Sequence, residues 1–387
     1  MKRVVLALGL ALVLAGCQEE GYRSTRHLTP IPPATMALMS KSGMQASDPI
    51  LMRSFKKESE IEVWKRGADG QYALLKTYPM CRWSGQLGPK IKEGDRQAPE
   101  GFYDVTPAAM NPNSSLFLSF NLGYPNAFDQ AHGRTGSHLM VHGSCSSRGC
   151  FAMTDEAVSE VYALARESFA AGQRSFQFQS YPFRMTAENL AKHRADQHIA
   201  FWNNLKEGYD QFEVTKQEPT WSVIGGRYAF KAEPSAAAAV AAKQARDDQE
   251  VADLVSKGTS AVRLVYDDGG GHQSFREMAM AASGASSFAA LDDRTRRSLG
   301  DVSRPDALAS GPQEIPIEVA AAKSPKAVGA PPSARSTVEV ATKQPSPLPA
   351  KAGTAVVVAS ATEEPEAPPP AASRSLYERA MGGLLGR

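Results

Sequence analysis

The sequence predicts a mostly β fold with flanking helices (α+β), and three observations predict it. Between positions 45 and 231, short apolar segments alternate with turn residues. Only two stretches there, 156–170 and 188–205, carry a helical period. Beyond 231, Ala, Pro, Ser and Lys dominate and aromatic residues nearly vanish. Residues 232–374 are therefore expected to be a low-complexity disordered region, unable to bury enough apolar surface to offset chain entropy. The segment 45–231, of about 180 residues, suffices for one core, and truncation after about 231 is expected to leave it working.

In order, Ile61 and Val63 alternate with Glu62 and Trp64 as in a strand, and residues 67–70 turn the chain into a second strand over 72–78. Further strands are expected over 102–105, 116–122 and 138–142. Residues 156–170 form a helix with Val158, Val161, Tyr162 and Ala165 on one face, ended by Gly172. A strand over 176–181 follows, then a helix over 188–205 that docks Phe201, Trp202 and Leu205, then a last strand over 223–230. Past that point, residues 236–256 have the pattern of a transient helix, and residues 375–387 that of a short amphipathic helix.

The beginning of the chain has the form of a targeting segment. Lys2-Arg3 precede an apolar stretch over 4–15 that is too short to span a bilayer. Leu14-Ala15-Gly16-Cys17 has the form of a bacterial lipoprotein processing site, so residues 1–16 are expected to be a signal peptide and Cys17 the lipidated residue. Acyl chains on Cys17 would anchor the protein to a membrane, with residues 17–44, which include Pro30, Pro32 and Pro33, as a tether. Gln18, in place of the Asp of inner-membrane retention, points to the periplasmic side of the outer membrane.

Of four cysteines, lipid takes Cys17 and leaves Cys81, Cys145 and Cys150. In an oxidising compartment these allow one pair and one free thiol. A Cys81–Cys145 pair leaves Cys150 available, whereas a Cys145–Cys150 pair would block it until reduced. With 43 basic against 41 acidic side chains and no basic tract, nothing points to nucleic acid.

The chemistry concentrates in residues 137–155, SHLMVHGSCSSRGCFAMTD. His142 ends a buried strand, Gly143, Ser144, Ser146, Ser147 and Gly149 form a tight loop, and Cys150 follows eight residues after His142. Thr154-Asp155-Glu156 then opens a helix with an N-cap and early negative charge. A loop thiol facing an imidazole makes a nucleophile: His142 lowers the thiol's pKa and serves as general base and acid. Main-chain N–H groups of Gly149 and Cys150 are natural oxyanion donors, because a Gly-containing turn can aim successive amides at one oxygen. Arg148 can favour the thiolate or bind a substrate carboxylate, or simply face solvent. His138 has the strand parity of His142 and is expected to pack behind it. A zinc site built from His138, His142, Cys145 and Cys150 is too crowded and lacks a Cys-x-x-Cys pair, so neither metal nor other cofactor is expected.

This stretch resembles the signature of the L,D-transpeptidase catalytic (YkuD) domain. His142-Gly143 matches one element, and Ser147-Arg148-Gly149-Cys150-Phe151 the other. Arg148 in place of a second His, the short gap and Ala152-Met153-Thr154-Asp155 resemble the YafK-like branch. The resemblance runs from Gly85-Gln86-Leu87-Gly88-Pro89-Lys90 through Gly94-Asp95, Pro99-Glu100-Gly101-Phe102-Tyr103 and residues 121–129 to Pro182-Phe183-Arg184-Met185-Thr186.

The resemblance implies a β-sandwich-like catalytic domain over 45–231 and a peptidoglycan substrate. It implies that Cys150 attacks an acyl carbon of a stem peptide at meso-diaminopimelate and forms a thioester, which water or an amine releases. It further implies that His142 is oriented by a backbone carbonyl or a Ser. Tyr103, Asn121, Tyr124, Asn126 and Asp129 fall in segments that resemble the family's cleft wall, with Tyr124, Ser147 and Arg148 as substrate-binding candidates. Stem cross-linking and cleavage of the link to the C-terminal Lys of an outer-membrane lipoprotein are both implied, with the short loop favouring water. A non-catalytic peptidoglycan-binding lipoprotein is the opposing reading; it has no need for a thiol.

Overall fold

The computed structural model describes residues 24–231, 233–277 and 311–318, all within one compact unit, Met1–Ala322. The signal segment, Cys17 and the expected helix over 375–387 lie outside them. Strands β1 (Ile50–Phe55), β2 (Glu60–Arg66), β3 (Tyr72–Pro79), β4 (Arg82–Trp83), β5 (Gly101–Val105), β6 (Met110–Asn111), β7 (Ser119–Asn121), β8 (Met140–His142), β9 (Phe151–Ala152) and β10 (Phe176–Tyr181) build two five-stranded sheets. The first has the order β3-β2-β1-β10-β5 and the second β4-β9-β8-β7-β6. Helices α1 (Pro33–Lys41), α2 (Ala127–Ala131), α3 (Asp155–Ala170), α4 (Ala187–His193) and α5 (Ile199–Thr215) flank them, making a mixed α+β fold. A hairpin of β11 (Trp221–Ile224) and β12 (Arg227–Phe230), helix α6 (Pro234–Ser256), and the pair β13 (Val262–Val265) and β14 (Gln313–Pro316) complete the described chain.

The two sheets meet through aromatic rings. Phe120 of β7 touches Phe176 and Phe178 of β10 at 5.6 and 6.4 Å between ring centres, and Phe151 of β9 touches Phe178 at 5.7 Å. Helix α3 begins as its sequence demands: the Thr154 side chain accepts from the Ala157 N–H, and Asp155 and Glu156 occupy the first turn. Its expected apolar face is buried, with Val158, Val161, Tyr162 and Ala165 all at or below 5% exposure. Central strand β1 has no counterpart in the sequence reading. All six of its residues are buried, Arg53 included, so no polar alternation marks it.

Several expectations are corrected. The helix over 188–205 is two helices, because Asp196 accepts from the His198 N–H at 2.9 Å and competes with the helical ladder between them. Trp202 still docks, fully buried, with its indole N–H on Glu100 at 2.8 Å. The strand over 223–230 is instead a hairpin, since Gly225 and Gly226 take φ of +58° and +71°. The tether region contributes α1, whose Thr35 and Met39 are buried.

The largest difference follows residue 231, where disorder was expected. Helix α6 packs on α5, and its Lys243 and Asp247 pair with Asp210 and Lys206. The chain then passes β4: Gly270 bridges Trp83, Tyr266 meets the Trp83 ring at 4.9 Å, and Asp268 pairs with Arg82 and Arg96. Average composition hides this, because a few apolar side chains among many Ala and Ser find a ready-made surface. No helix of the described residues is long and apolar enough to cross a membrane.

Candidate active site

Strands β8 and β9 run parallel, pairing Val141 with Phe151 and His142 with Ala152. Residues paired across a ladder, and residues two apart along a strand, share a face. Phe120, Val141 and Phe151 point into the core between the sheets. Met140, His142 and Ala152 therefore take the outer face, and Cys150, two residues before Ala152, continues that row. Antiparallel β7 adds Ser119 opposite His142 and Asn121 opposite Met140. The eight-residue spacing of His142 and Cys150 thus closes into neighbouring strand ends on one face.

His142 is 1% exposed, and its Nδ1 lies 2.5 Å from the Gly143 carbonyl oxygen. A carbonyl only accepts, so Nδ1 carries the hydrogen and Nε2 presents a lone pair. This main-chain carbonyl is the orienter that the resemblance left open between a carbonyl and a Ser. The loop beyond is held by Asp155, which accepts from the Ser144 N–H at 2.9 Å. Burial lowers the imidazole pKa from its usual value, against the raising influence of the Gly143 carbonyl.

Cys150 is half-buried and is the free cysteine among the described residues. Its thiol donates to the His138 carbonyl at 3.6 Å. Burial pushes the thiol pKa up, while the Met140 main chain and the Lys90 charge pull it down. The expected lowering of this thiol by His142 is therefore corrected. Burial favours the neutral form of each group.

The disulfide joins Cys81 and Cys145, which settles the pairing and leaves Cys150 free to react. The bridge spans 64 residues. Replacing both partners by Ala is expected to cost about 4 kcal/mol on loop-closure grounds. Chemical denaturation of the two forms measures this; an unchanged midpoint would mean that the bridge constrains nothing.

Ser147, expected among the substrate-binding residues, is 1% exposed. Its hydroxyl accepts from the N–H groups of Cys150 at 3.1 Å and Gly149 at 3.3 Å, and donates to the Cys150 carbonyl at 2.8 Å. It braces the nucleophile turn, because a buried turn must satisfy its amides internally. The same contacts correct the expected role of Gly149: its N–H already has a partner, so an oxyanion must displace Ser147 to use it. Gly149 is required for its backbone, with φ of +127° and Leu139 and the Gln97 carbonyl packed 3.2 and 3.4 Å from where a Cβ would lie. Arg148 is exposed.

A cavity of about 690 Å³ lies over the outer face, lined among others by Ser119, Asn121, Tyr124, His138 and Met140. Tyr124 and Asn121 are thus cleft-wall residues. Asn126 and Asp129 are not: they form the capping box of α2, and Asp129 also binds Arg134 and Tyr103. Upstream, the buried pair Lys56–Glu100, at 2.9 Å, pins the segment 88–100 through the Gly88 N–H and the carbonyls of Gly88 and Ala98. Asp95 gathers Lys90 and the N–H groups of Ile91, Lys92 and Gln97 into a turn. Sequence reasoning passed over Ser119, Lys90, Arg96 and Asp268. Ser119 had a signal in its strand parity, and Asp268 had none.

A free thiol and a base-ready imidazole on one face of adjacent strands can carry out acyl transfer through a cysteine. The chain belongs to the YafK family of L,D-transpeptidases, enzymes of peptidoglycan metabolism. It is 38% identical over 230 residues to the protein named "Putative L,D-transpeptidase YafK" of Escherichia coli strain K12, covering 59% of this chain and 90% of that one. The counterpart in Escherichia coli O157:H7 matches to the same extent. Residues 1–18 match the model described as a prokaryotic membrane lipoprotein lipid attachment site, which makes the chain an envelope-associated lipoprotein. Among solved structures, the helical cell shape determining protein Pgp2 of Campylobacter jejuni aligns at 14% identity and a TM-score of 0.27, over 62% of this chain and 81% of that one. Bd1075 of Bdellovibrio bacteriovorus aligns at 16% and 0.25, over 45% and 61%.

Proposed function

We propose that the chain is a Cys150 thioester enzyme that hydrolyses or transfers amides at meso-diaminopimelate in peptidoglycan stem peptides, including the link to an outer-membrane lipoprotein's C-terminal Lys. One observation carries this: Cys150 and His142 share a face, with the Gly143 carbonyl leaving Nε2 free to take a proton. Nε2 takes the thiol proton as sulfur bonds the acyl carbon. The resulting oxyanion draws the Gly149 and Cys150 N–H groups from Ser147. Collapse breaks the C–N bond, and the imidazolium returns its proton to the leaving amine. Water or a second amine then attacks the thioester, gives its proton to Nε2, and sulfur leaves as thiol. The half-open Cys150 and the short loop favour water.

Transfer to a second stem is the other reading, and the relatives' own name favours it. The two facing sheets support a β-sandwich-like catalytic domain, and Gln18 after Cys17 supports an outer-membrane anchor facing the periplasm. Incubating wild type and Cys150→Ala with muropeptides and a stem-linked Lys peptide tests the reading by mass spectrometry. Released Lys peptide or new cross-links are expected from wild type alone. Equal products from both forms would remove Cys150 from the chemistry, and no product from either would leave a binding lipoprotein.

A further inference from the structure

The cavity lined by His138, whose carbonyl accepts from the Cys150 thiol, has a chemical bias of its own. It reaches from β7 and β8 to Asp104 of β5, its one carboxylate, and neither Lys nor Arg lines it. Asp104 is exposed, and its carboxylate forms no hydrogen bond or ion pair among the described residues. At the other end stands Ser119, 0% exposed, whose hydroxyl has no hydrogen-bond partner and which lies directly across from His142 in register. Between them Asn121 uses its side-chain oxygen on the Gly123 N–H at 2.9 Å. A buried hydroxyl without a partner is uncommon, because its desolvation goes uncompensated. The Asp104 carboxylate is open to solvent, and no Lys or Arg lines the cavity to pair with it. Both are satisfied by one ligand that brings a cation to Asp104 and a polar atom to Ser119.

We propose that this cavity binds the substrate through a free primary ammonium, received by the Asp104 carboxylate while Ser119 hydrogen-bonds a polar atom near the reacting carbonyl. Resting on the stem-peptide reading above, this assigns specificity to a side chain outside the Cys150 loop. The ammonium is that of the diaminopimelate side chain, which stays free when the neighbouring carbonyl is the acyl group. A charged partner discriminates by the charge-assisted bond itself.

The test measures binding without turnover. The full chain carrying Cys150→Ala is titrated calorimetrically with an Ala-γGlu-diaminopimelate tripeptide whose side-chain amine is free, and with the same peptide acetylated there. With Asp104 present, the free amine is expected to bind about fivefold tighter than the acetylated form. In Cys150→Ala/Asp104→Asn that preference is expected to disappear, both peptides binding like the acetylated one. Ser119→Ala should weaken both peptides alike, and circular dichroism melts verify that each variant is folded. An unchanged preference in Asp104→Asn, equal affinities with Asp104 present, or no binding of either peptide overturns the proposal. Thioester formation at Cys150, read by intact mass on the wild-type chain, is a separate result, so the two readings fail independently.

Discussion

Ending the chain at residue 231 is expected to yield insoluble or unfolded protein. The segment removed contributes Val240, Leu264, Tyr266 and Phe275, each at or below 8% exposure. Burial of such side chains is worth about 1.5–3 kcal/mol apiece. Its loss also takes Asp268 from Arg82, a guanidinium with no exposure, at 3.5 Å, and breaking a buried pair costs about 3–5 kcal/mol. Together these match the whole stability of an ordinary domain, about 5–15 kcal/mol. The effect reaches the site as well, since Arg96 links Asp268 to the Ser147 carbonyl. Comparing chains of residues 18–231 and 18–318 by soluble yield and thermal melting checks this. A cooperative melt of the shorter chain within a few degrees of the longer one would show the added layer to be dispensable.

His142→Gln is expected to lower kcat/KM on stem peptides by about 10³-fold, within the usual range for loss of a positioned general base. The pH profile gives the finer test. Burial holds the imidazole neutral to lower pH than the usual 6.5 and the thiol neutral to higher pH than the usual 9. The competent form is then expected to be neutral imidazole beside neutral thiol. Activity should then fall only as acid protonates His142, with a midpoint below 6.5, and remain level up to pH 9. An enzyme resting as a thiolate–imidazolium pair would instead lose activity as the imidazolium deprotonates. The acid limb should vanish in His142→Gln. A wild-type midpoint above 7, or the same limb in the variant, would refute the assignment.

Much of the site was legible because its signals are local. Residues 142–156 carry a strand end, a Gly-rich loop, a thiol and a helix cap within one short stretch, and each follows from its neighbours. Helix α3 and strand β10 formed where 3.6- and 2-residue periods placed them. What stayed hidden depends on distant partners. Strand β1 is buried on both faces and so carries no period. Ser147 resembles any loop serine until its hydroxyl is seen holding two main-chain N–H groups. Residues 233–277 resemble linker by composition, yet a few of them cover Trp83 and Arg82.

The sequence by itself determined the candidate nucleophile, the candidate base, the lipid attachment segment and the family, because these rest on residue chemistry at short spacing. Only the tertiary structure decided the Cys81–Cys145 pairing, the Gly143 carbonyl as the partner of His142, the burial of the imidazole and the cavity from Asp104 to Ser119. Each of these depends on groups far apart in the chain, or on how deeply a group is buried, and such quantities exist only once the chain has folded.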